Sequence, residues 1–145
     1  MLREIAEAID LLDDPTVDGA AVRGWLREAG AEDVVVKHVE EERGATDFVR
    51  VSIPGECSDP TLGIVGRLGG IGARPERLGL VSDADGAIVA LACAAKLGRM
   101  AARGDRLPGR VIVATHISPR SPIIPRAGPV HGGAGVDGDD ERARG

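Results

Sequence analysis

Residues 61–117, TLGIVGRLGGIGARPERLGLVSDADGAIVALACAAKLGRMAARGDRLPGRVIVATHI, contain the pattern that decides the fold. A short apolar strand is predicted over 61–66 and leads into a loop rich in glycine and arginine. A helix is predicted over 84–102, and the Val/Ile run 109–117 is typical of a buried strand. Strand, loop, helix and strand in this order predict a parallel crossover unit.

Upstream of this unit, the sequence predicts two short helices and then two strands. Leu2, Ile5, Ile9 and Leu12 recur at helical spacing, and a second helix is capped by Asp18 and ended by Gly30. Two further segments, 33–40 and 46–53, are joined by a link too short for a helical crossover, which predicts an antiparallel hairpin. The fold class is therefore α/β, with a mixed sheet of about four to five strands.

The end of the chain differs in composition from the rest. Residues 118–145 hold four prolines and six glycines and show almost no periodic apolar pattern. This content is at the level at which proline and glycine indicate disorder. We therefore expect one α/β domain over residues 1–125 and a disordered Gly/Pro-rich tail over 126–145.

Composition argues against two kinds of partner. The net charge is −5, and Phe48 and Trp25 are the only aromatic residues, so neither phosphate attraction nor base stacking favours nucleic acid. No window approaches the roughly 18 apolar residues of a membrane span, and carboxylates interrupt the start where a signal peptide needs an apolar run. A cytoplasmic protein that binds neither nucleic acid nor membrane is expected. Cys57 and Cys93 are far apart in the sequence and are expected to be reduced.

The helix predicted over 84–102 is unusual because residues 87–95 are apolar all the way round. Such a helix requires protein on every side. The predicted elements offer little to cover it, so we expect self-association or a complementing chain that supplies the missing cover. Ile88, Leu91 and Ala95 lie on one face of the helix and would test this expectation.

Asp83 and Asp85 open this helix and allow two interpretations. In the first, Asp83 is the N-cap and Asp85 compensates the helix dipole in the first turn. In the second, both carboxylates bind a divalent metal at the edge where open α/β sheets place their sites, with His116 arriving from the following strand. His38 and Glu40 to Glu42 are further candidate ligands, although the glutamates are typical of a solvated turn.

The loop after the first strand of the unit also has two interpretations. Gly70 and Gly72 can present backbone N–H groups to an anion, and Arg67, Arg74 and Arg77 can bind a carboxylate or phosphate of a substrate. The loop matches neither the dinucleotide fingerprint nor the Walker pattern. A tight structural loop is the alternative.

Several stretches resemble one family. LLDDPTVDG (11–19), GATDFVRVSIPG (44–55) and PTLGIVG through THISP (60–119) resemble an uncharacterised bacterial and archaeal family, the domain of unknown function 1177. The resemblance covers residues 2–125 and implies that this chain corresponds to about the N-terminal half of longer relatives. It implies no established reaction.

A more distant resemblance is to two-zinc aminopeptidases and carboxypeptidases. A strand, an aspartate opening an Ala/Leu-rich helix and a Val/Ile strand are similar to part of those enzymes, and Asp83 would match their metal-bridging aspartate. GRLGG (66–70) stands where they carry His-x-Asp, and Thr115 and His116 stand where they carry two glutamates. The resemblance implies metal-dependent amide or peptide hydrolysis with zinc or manganese. The alternative is a non-catalytic binding or assembly domain whose apolar helix is buried by a partner.

Overall fold

The computed structural model describes residues 1–41, 44–67, 80 and 84–120. It confirms the α/β fold class. The elements follow the chain in this order: α1 (Leu2–Leu12), α2 (Gly19–Glu28), β1 (Asp33–Glu41), β2 (Gly44–Ile53), β3 (Thr61–Val65), α3 (Asp85–Ala102) and β4 (Arg110–Arg120). None of these helices is long and apolar enough to cross a lipid bilayer.

The four strands form one mixed sheet in the order β1-β2-β4-β3. β1 and β2 are the predicted antiparallel hairpin, with Val34 opposite Val51. β4 lies between β2, with which it is antiparallel, and β3, with which it is parallel. β3, α3 and β4 are therefore the predicted crossover unit, and the mixed sheet follows from placing that unit beside the hairpin.

The apolar core lies between the sheet and the helices. β2 alternates buried and exposed positions, so that Val49, Val51 and Ile53 face the core. Val111 and Val113 of β4 continue the same layer, and all three helices pack on this side. The opposite side of the sheet is called the open face below.

The ends of α2 form as the sequence predicts. The Asp18 side chain accepts a hydrogen bond of 2.8 Å from the Ala21 N–H, as an N-cap residue does. Gly30 follows the helix with φ of +92°, a conformation that favours glycine. A Cβ at Gly30 would also lie 2.8 Å from the Gly98 carbonyl oxygen of α3, so this turn brings the two helices into close contact.

The apolar helix α3 is covered by the chain itself. α1 packs on one side of it and the sheet on the other. The helix face that was expected to lack cover is buried at Ile88, Leu91 and Ala95. Val89, on the same helix, is 50% exposed. The expectation that α3 lacks cover is wrong, because α1 and the sheet together supply enough surface.

Three predicted details differ from the structure. β4 runs on to Arg120, so the regular structure does not end at Ser118, and residues 121–145 lie outside the described residues. α3 begins at Asp85 and its N-cap position is Ala84, without a side-chain cap, rather than Asp83. In α1, Leu2 and Ile9 are exposed, while Glu4, Ala8 and Leu12 are buried.

The buried Glu4 explains why α1 is rotated from the predicted apolar stripe. Its carboxylate accepts a 2.9 Å hydrogen bond from Arg99 of α3 and pairs with the terminal ammonium of Met1 at 2.8 Å. Arg99 also donates to Glu7 at 2.5 Å. This network attaches α1 to α3 by charge, and Arg99 can reach both carboxylates because the guanidinium donates in several directions.

Glu4 should make the stability of the fold depend on pH. Hydrogen bonds from the terminal ammonium, the backbone and Arg99 lower the pKa of Glu4 from 4.5 to about 2. A carboxyl group whose pKa is lower in the folded than in the unfolded protein contributes its full stabilisation when the pH is above the unfolded pKa. That contribution is lost as the pH falls through the folded pKa. We expect the free energy of unfolding to fall by about 1.5–3 kcal/mol between pH 5 and pH 2 from this group.

Urea denaturation of untagged protein at several pH values measures this effect, because a tag would remove the terminal ammonium. The Glu4→Gln variant should be less stable at pH 7 and should show a weaker pH dependence over the same window. An unchanged pH dependence in Glu4→Gln would contradict the role of this carboxylate.

Candidate functional site

The carboxyl end of β3 meets the middle of β4 and the beginning of α3 at one corner of the sheet. The Gly66 N–H donates to the Ala114 carbonyl at 3.0 Å, and the Ala87 N–H donates to the Arg67 carbonyl at 3.1 Å. The end of β3 is thus bonded to both following elements. This corner, defined by residues 66–67, 85–87 and 114–116, is called the carboxyl corner below.

Two glycines permit this close approach. A Cβ on Gly66 would lie 2.0 Å from the Gly86 carbonyl oxygen and 2.6 Å from the Ala90 Cβ. A Cβ on Gly86 would lie 2.6 Å from the Arg67 carbonyl oxygen. Both contacts are shorter than side-chain atoms tolerate, so the first turn of α3 rests directly on the backbone after β3.

Arg67 and Asp85 lie at the carboxyl corner with exposed side chains. Asp85 is in the first turn of α3, where the helix dipole favours a carboxylate. The backbone of Arg67 thus lies against the first turns of α3, the helix that Asp85 begins. An exposed carboxylate at this position is compatible with dipole compensation and with ligand binding, so both interpretations of Asp85 stay predictions.

His116 reaches the same corner but on the other side of the sheet. It lies two residues beyond Ala114, four residues before β4 ends. Thr115 and Ile117 are buried among the core-facing residues of β4, so His116 points to the open face by alternation. Its ring lies 6.0 Å from that of Phe48, centroid to centroid.

Six of the residues predicted for the site lie outside the described residues. They are Glu42, Gly70, Gly72, Arg74, Arg77 and Asp83. Their assignment to anion binding or metal ligation stays a prediction.

The described residues do not complete a metal site. Across residues 1–41, 44–67, 80 and 84–120, no group of three or more His, Cys, Asp or Glu side chains lies close enough to hold an ion. Protein zinc sites use at least three ligands. Asp85 and His116 therefore need a further ligand, for which Asp83 remains the candidate from the sequence.

Thr115 adds an unexplained polar group to the carboxyl corner. It is buried, and its hydroxyl has no hydrogen-bond partner in the described part of the chain. An unpaired buried hydroxyl costs about 1–3 kcal/mol, and such groups in folded proteins call for an explanation.

Sequence reasoning missed Asp47, the buried carboxylate of β2. Its Oδ2 accepts a 2.7 Å hydrogen bond from the Gly19 N–H, and its Oδ1 lies 2.5 Å from His38 Nδ1. These two contacts of Asp47 hold the start of α2 against the sheet and orient the His38 ring. Its signal in the sequence was available, because Asp47 occupies a core-facing position in line with Val49 and Val51.

Among the described strands, β3 is the outer strand on one side of the sheet, and it lacks the features that usually protect edges. Its sequence is TLGIV, with no charged residue, and Leu62 and Val65 are 55% and 84% exposed. On the open face, Phe48 and Val35 are also exposed. Natural edge strands are commonly guarded by charges, prolines or bulges, so β3 has the composition of an interior strand.

The fold and the carboxyl corner place this protein in the class of α/β proteins that have a mixed sheet with one parallel crossover. Residues 37–132 match the model of a family described as protein of unknown function, DUF1177, and the chain belongs to that family. No curated protein matches the sequence.

Two solved structures of one enzyme are similar to this chain. The bottromycin maturation enzyme BotP in complex with Mn is 21% identical, with a TM-score of 0.47, and the similarity covers 82% of this chain and 31% of that one. A second structure of BotP is 22% identical, with a TM-score of 0.42, over 79% and 29% of the two chains. This chain thus spans less than a third of that enzyme.

Proposed function

We propose that this chain carries the carboxyl corner of a divalent-metal-dependent amide or peptide hydrolase. The observation that supports the proposal is the β3–α3–β4 unit, which brings Arg67 and Asp85 to the edge where open α/β sheets place their sites. Asp83, Asp85 and His116 would bind zinc or manganese. Arg67, Arg74 and Arg77, with the N–H groups of Gly70 and Gly72, would bind a carboxylate of the substrate.

The geometry sets a condition on this proposal. His116 lies on the open face, whereas Asp85 lies on the helix side of the sheet. A shared ion would have to sit beyond the end of the parallel pair, where β3 has ended and β4 continues. The unpaired Thr115 hydroxyl lies at that level and supports a polar occupant there.

Metal content tests the proposal without an assay of activity. Purified protein should bind Zn²⁺ or Mn²⁺ at about one equivalent, as measured by elemental analysis after dialysis. Asp83→Asn should weaken binding by about tenfold or more, the range in which even supporting groups of metal sites act. Asp105→Asn, which removes a carboxylate elsewhere, is the matched control.

Unchanged metal binding in Asp83→Asn, or none in the parent protein, would contradict the proposal. The His116→Gln variant tests whether His116 binds the ion together with the aspartates. It should lower the affinity if His116 is a ligand and leave it unchanged if the ion is held by the aspartates alone.

The second candidate function is that of an assembly domain, and β3 favours it as the outer strand of the described sheet, with Leu62 and Val65 exposed. An unpaired strand edge can bind another strand through backbone hydrogen bonds. Two copies of Thr61–Val65 paired antiparallel about Gly63 would place Leu62 beside Ile64 of the other copy and bring no like charges together. We propose this pairing as the route of self-association.

Sedimentation over a range of protein concentrations should therefore show a dimer. Val65→Lys should shift the protein to the monomer, because a charge on an edge strand opposes pairing. Val35→Lys places the same charge on the opposite edge strand and should leave the dimer intact. A monomeric parent protein, or equal effects of the two lysines, would exclude pairing through β3.

A further inference from the structure

A cleft between α1 and α2 lies away from the carboxyl corner and has a composition of its own. Its volume is about 440 Å³, and Arg99 of α3 is one of its lining residues. The walls are Arg3, Glu7 and Asp10 from α1, and Trp25 and Glu28 from α2. Trp25, half-buried, is the only tryptophan of the chain.

The arginines of this cleft are already neutralised. Arg99 donates to Glu4 and Glu7, and Arg3 donates to Glu7 at 2.7 Å. The Glu7 pKa is lowered, first by the hydrogen bond from Arg99 and then by that from Arg3. These side chains bind one another and leave little positive charge for a ligand.

The other two carboxylates of the cleft, those of Asp10 and Glu28, are not paired with these arginines. Within the part of the chain that the structure describes, Asp10 and Glu28 make no side-chain hydrogen bond or ion pair. They line the same cleft as Trp25, so the cleft combines an aromatic side chain with two negative charges that have no partner among the described residues. A guanidinium group fits this combination, because it is planar, stacks on an indole and donates to carboxylates.

We propose that this cleft binds an arginine side chain of a partner protein. The guanidinium would stack on Trp25 and donate to Asp10 and Glu28. The net charge of −5 for the whole chain also favours a basic partner. This site is independent of the proposed hydrolase function, since it shares no residue with the carboxyl corner.

Trp25 fluorescence tests the proposal directly, because the chain has no tyrosine and no other tryptophan. The probe is the dipeptide acetyl-Arg-Arg-amide, titrated at low ionic strength. The matched ligand is the same dipeptide with citrulline, which keeps the shape of arginine but not its charge. We expect a saturable change with the arginine peptide and a half-saturation concentration about tenfold higher, or more, with citrulline.

Charge variants locate the binding. Asp10→Asn and Glu28→Gln should each raise the half-saturation concentration about two- to fivefold, as expected for exposed ion pairs. Glu56→Gln removes the same charge at an exposed position outside the cleft and should change nothing. Equal responses to the two peptides, equal effects of Glu28→Gln and Glu56→Gln, or no saturable change would overturn the proposal.

Discussion

Leu91→Lys is expected to abolish the folded state of the chain. Leu91 is fully buried and lies on α3, the helix that packs against both α1 and the sheet. The substitution forfeits about 1.5–3 kcal/mol of apolar burial and places an unpaired ammonium in the core at a further cost of several kcal/mol. The sum is comparable with the roughly 5–15 kcal/mol that stabilises a typical domain. Far-UV circular dichroism and urea titration of purified protein measure the loss.

Val89→Lys is the matched control, because Val89 lies on the same helix but is half exposed. Its free energy of unfolding should stay within about 0.5 kcal/mol of the parent. The milder Leu91→Ala gives a second measurement if Leu91→Lys cannot be purified, with an expected loss of about 2–5 kcal/mol. A folded, more soluble Leu91→Lys protein would show that this face of α3 lies outside the core.

Gly66→Ala should be the most damaging small substitution at the carboxyl corner. The added methyl would lie 2.0 Å from the Gly86 carbonyl oxygen and 2.6 Å from the Ala90 Cβ. Neither neighbour is the flexible end of a side chain, so the beginning of α3 must move away from β3. Overpacking of this kind costs about 1–3 kcal/mol and sometimes more. We expect about 3 kcal/mol, seen as a lower urea midpoint.

Gly24→Ala is the control, for which the change in stability should have the opposite sign. Gly24 lies within α2, and a Cβ there would meet nothing within 4 Å. Alanine in a helix interior is favoured over glycine by about 0.5–1 kcal/mol, so this variant should be more stable than the parent. If Gly66→Ala were as stable as Gly24→Ala, α3 would not rest on the end of β3.

The order and type of the elements could be predicted because each has a local signal. Asp18 and Gly30 bound α2, and the short link between 33–40 and 46–53 fixes the hairpin as antiparallel. The burial of α3 could not be predicted, since it depends on which face of α1 packs against it. Glu4 is buried because Arg99, far along the chain, supplies its partner. Helical spacing within α1 contains no information about that partner.

The candidate site could be predicted only at the level of the sheet edge. The crossover pattern predicts that Arg67, Asp85 and the strand of His116 meet at one corner. In the structure the backbone at Arg67 is bonded to the first turns of α3, and His116 lies on the other face of the sheet. The side of the sheet that His116 faces depends on the register of β4, where a shift of one residue reverses every side chain. The core-facing position of Asp47 follows from its alternation with Val49 and Val51, but its partner, the N–H of Gly19, is a backbone group that no sequence pattern marks.

The position of β4 in the middle of the sheet has a consequence for synthesis of the chain on the ribosome. The hairpin β1–β2 can close early from local contacts, but β3 has no neighbouring strand among the described elements until residues 110–120 emerge. Pairings between distant segments form slowly, and the intermediates that precede them expose apolar surface. A ribosome that pauses before β4 would hold α3 and β3 in the nascent chain with part of their cover missing, which is the state that chaperones bind.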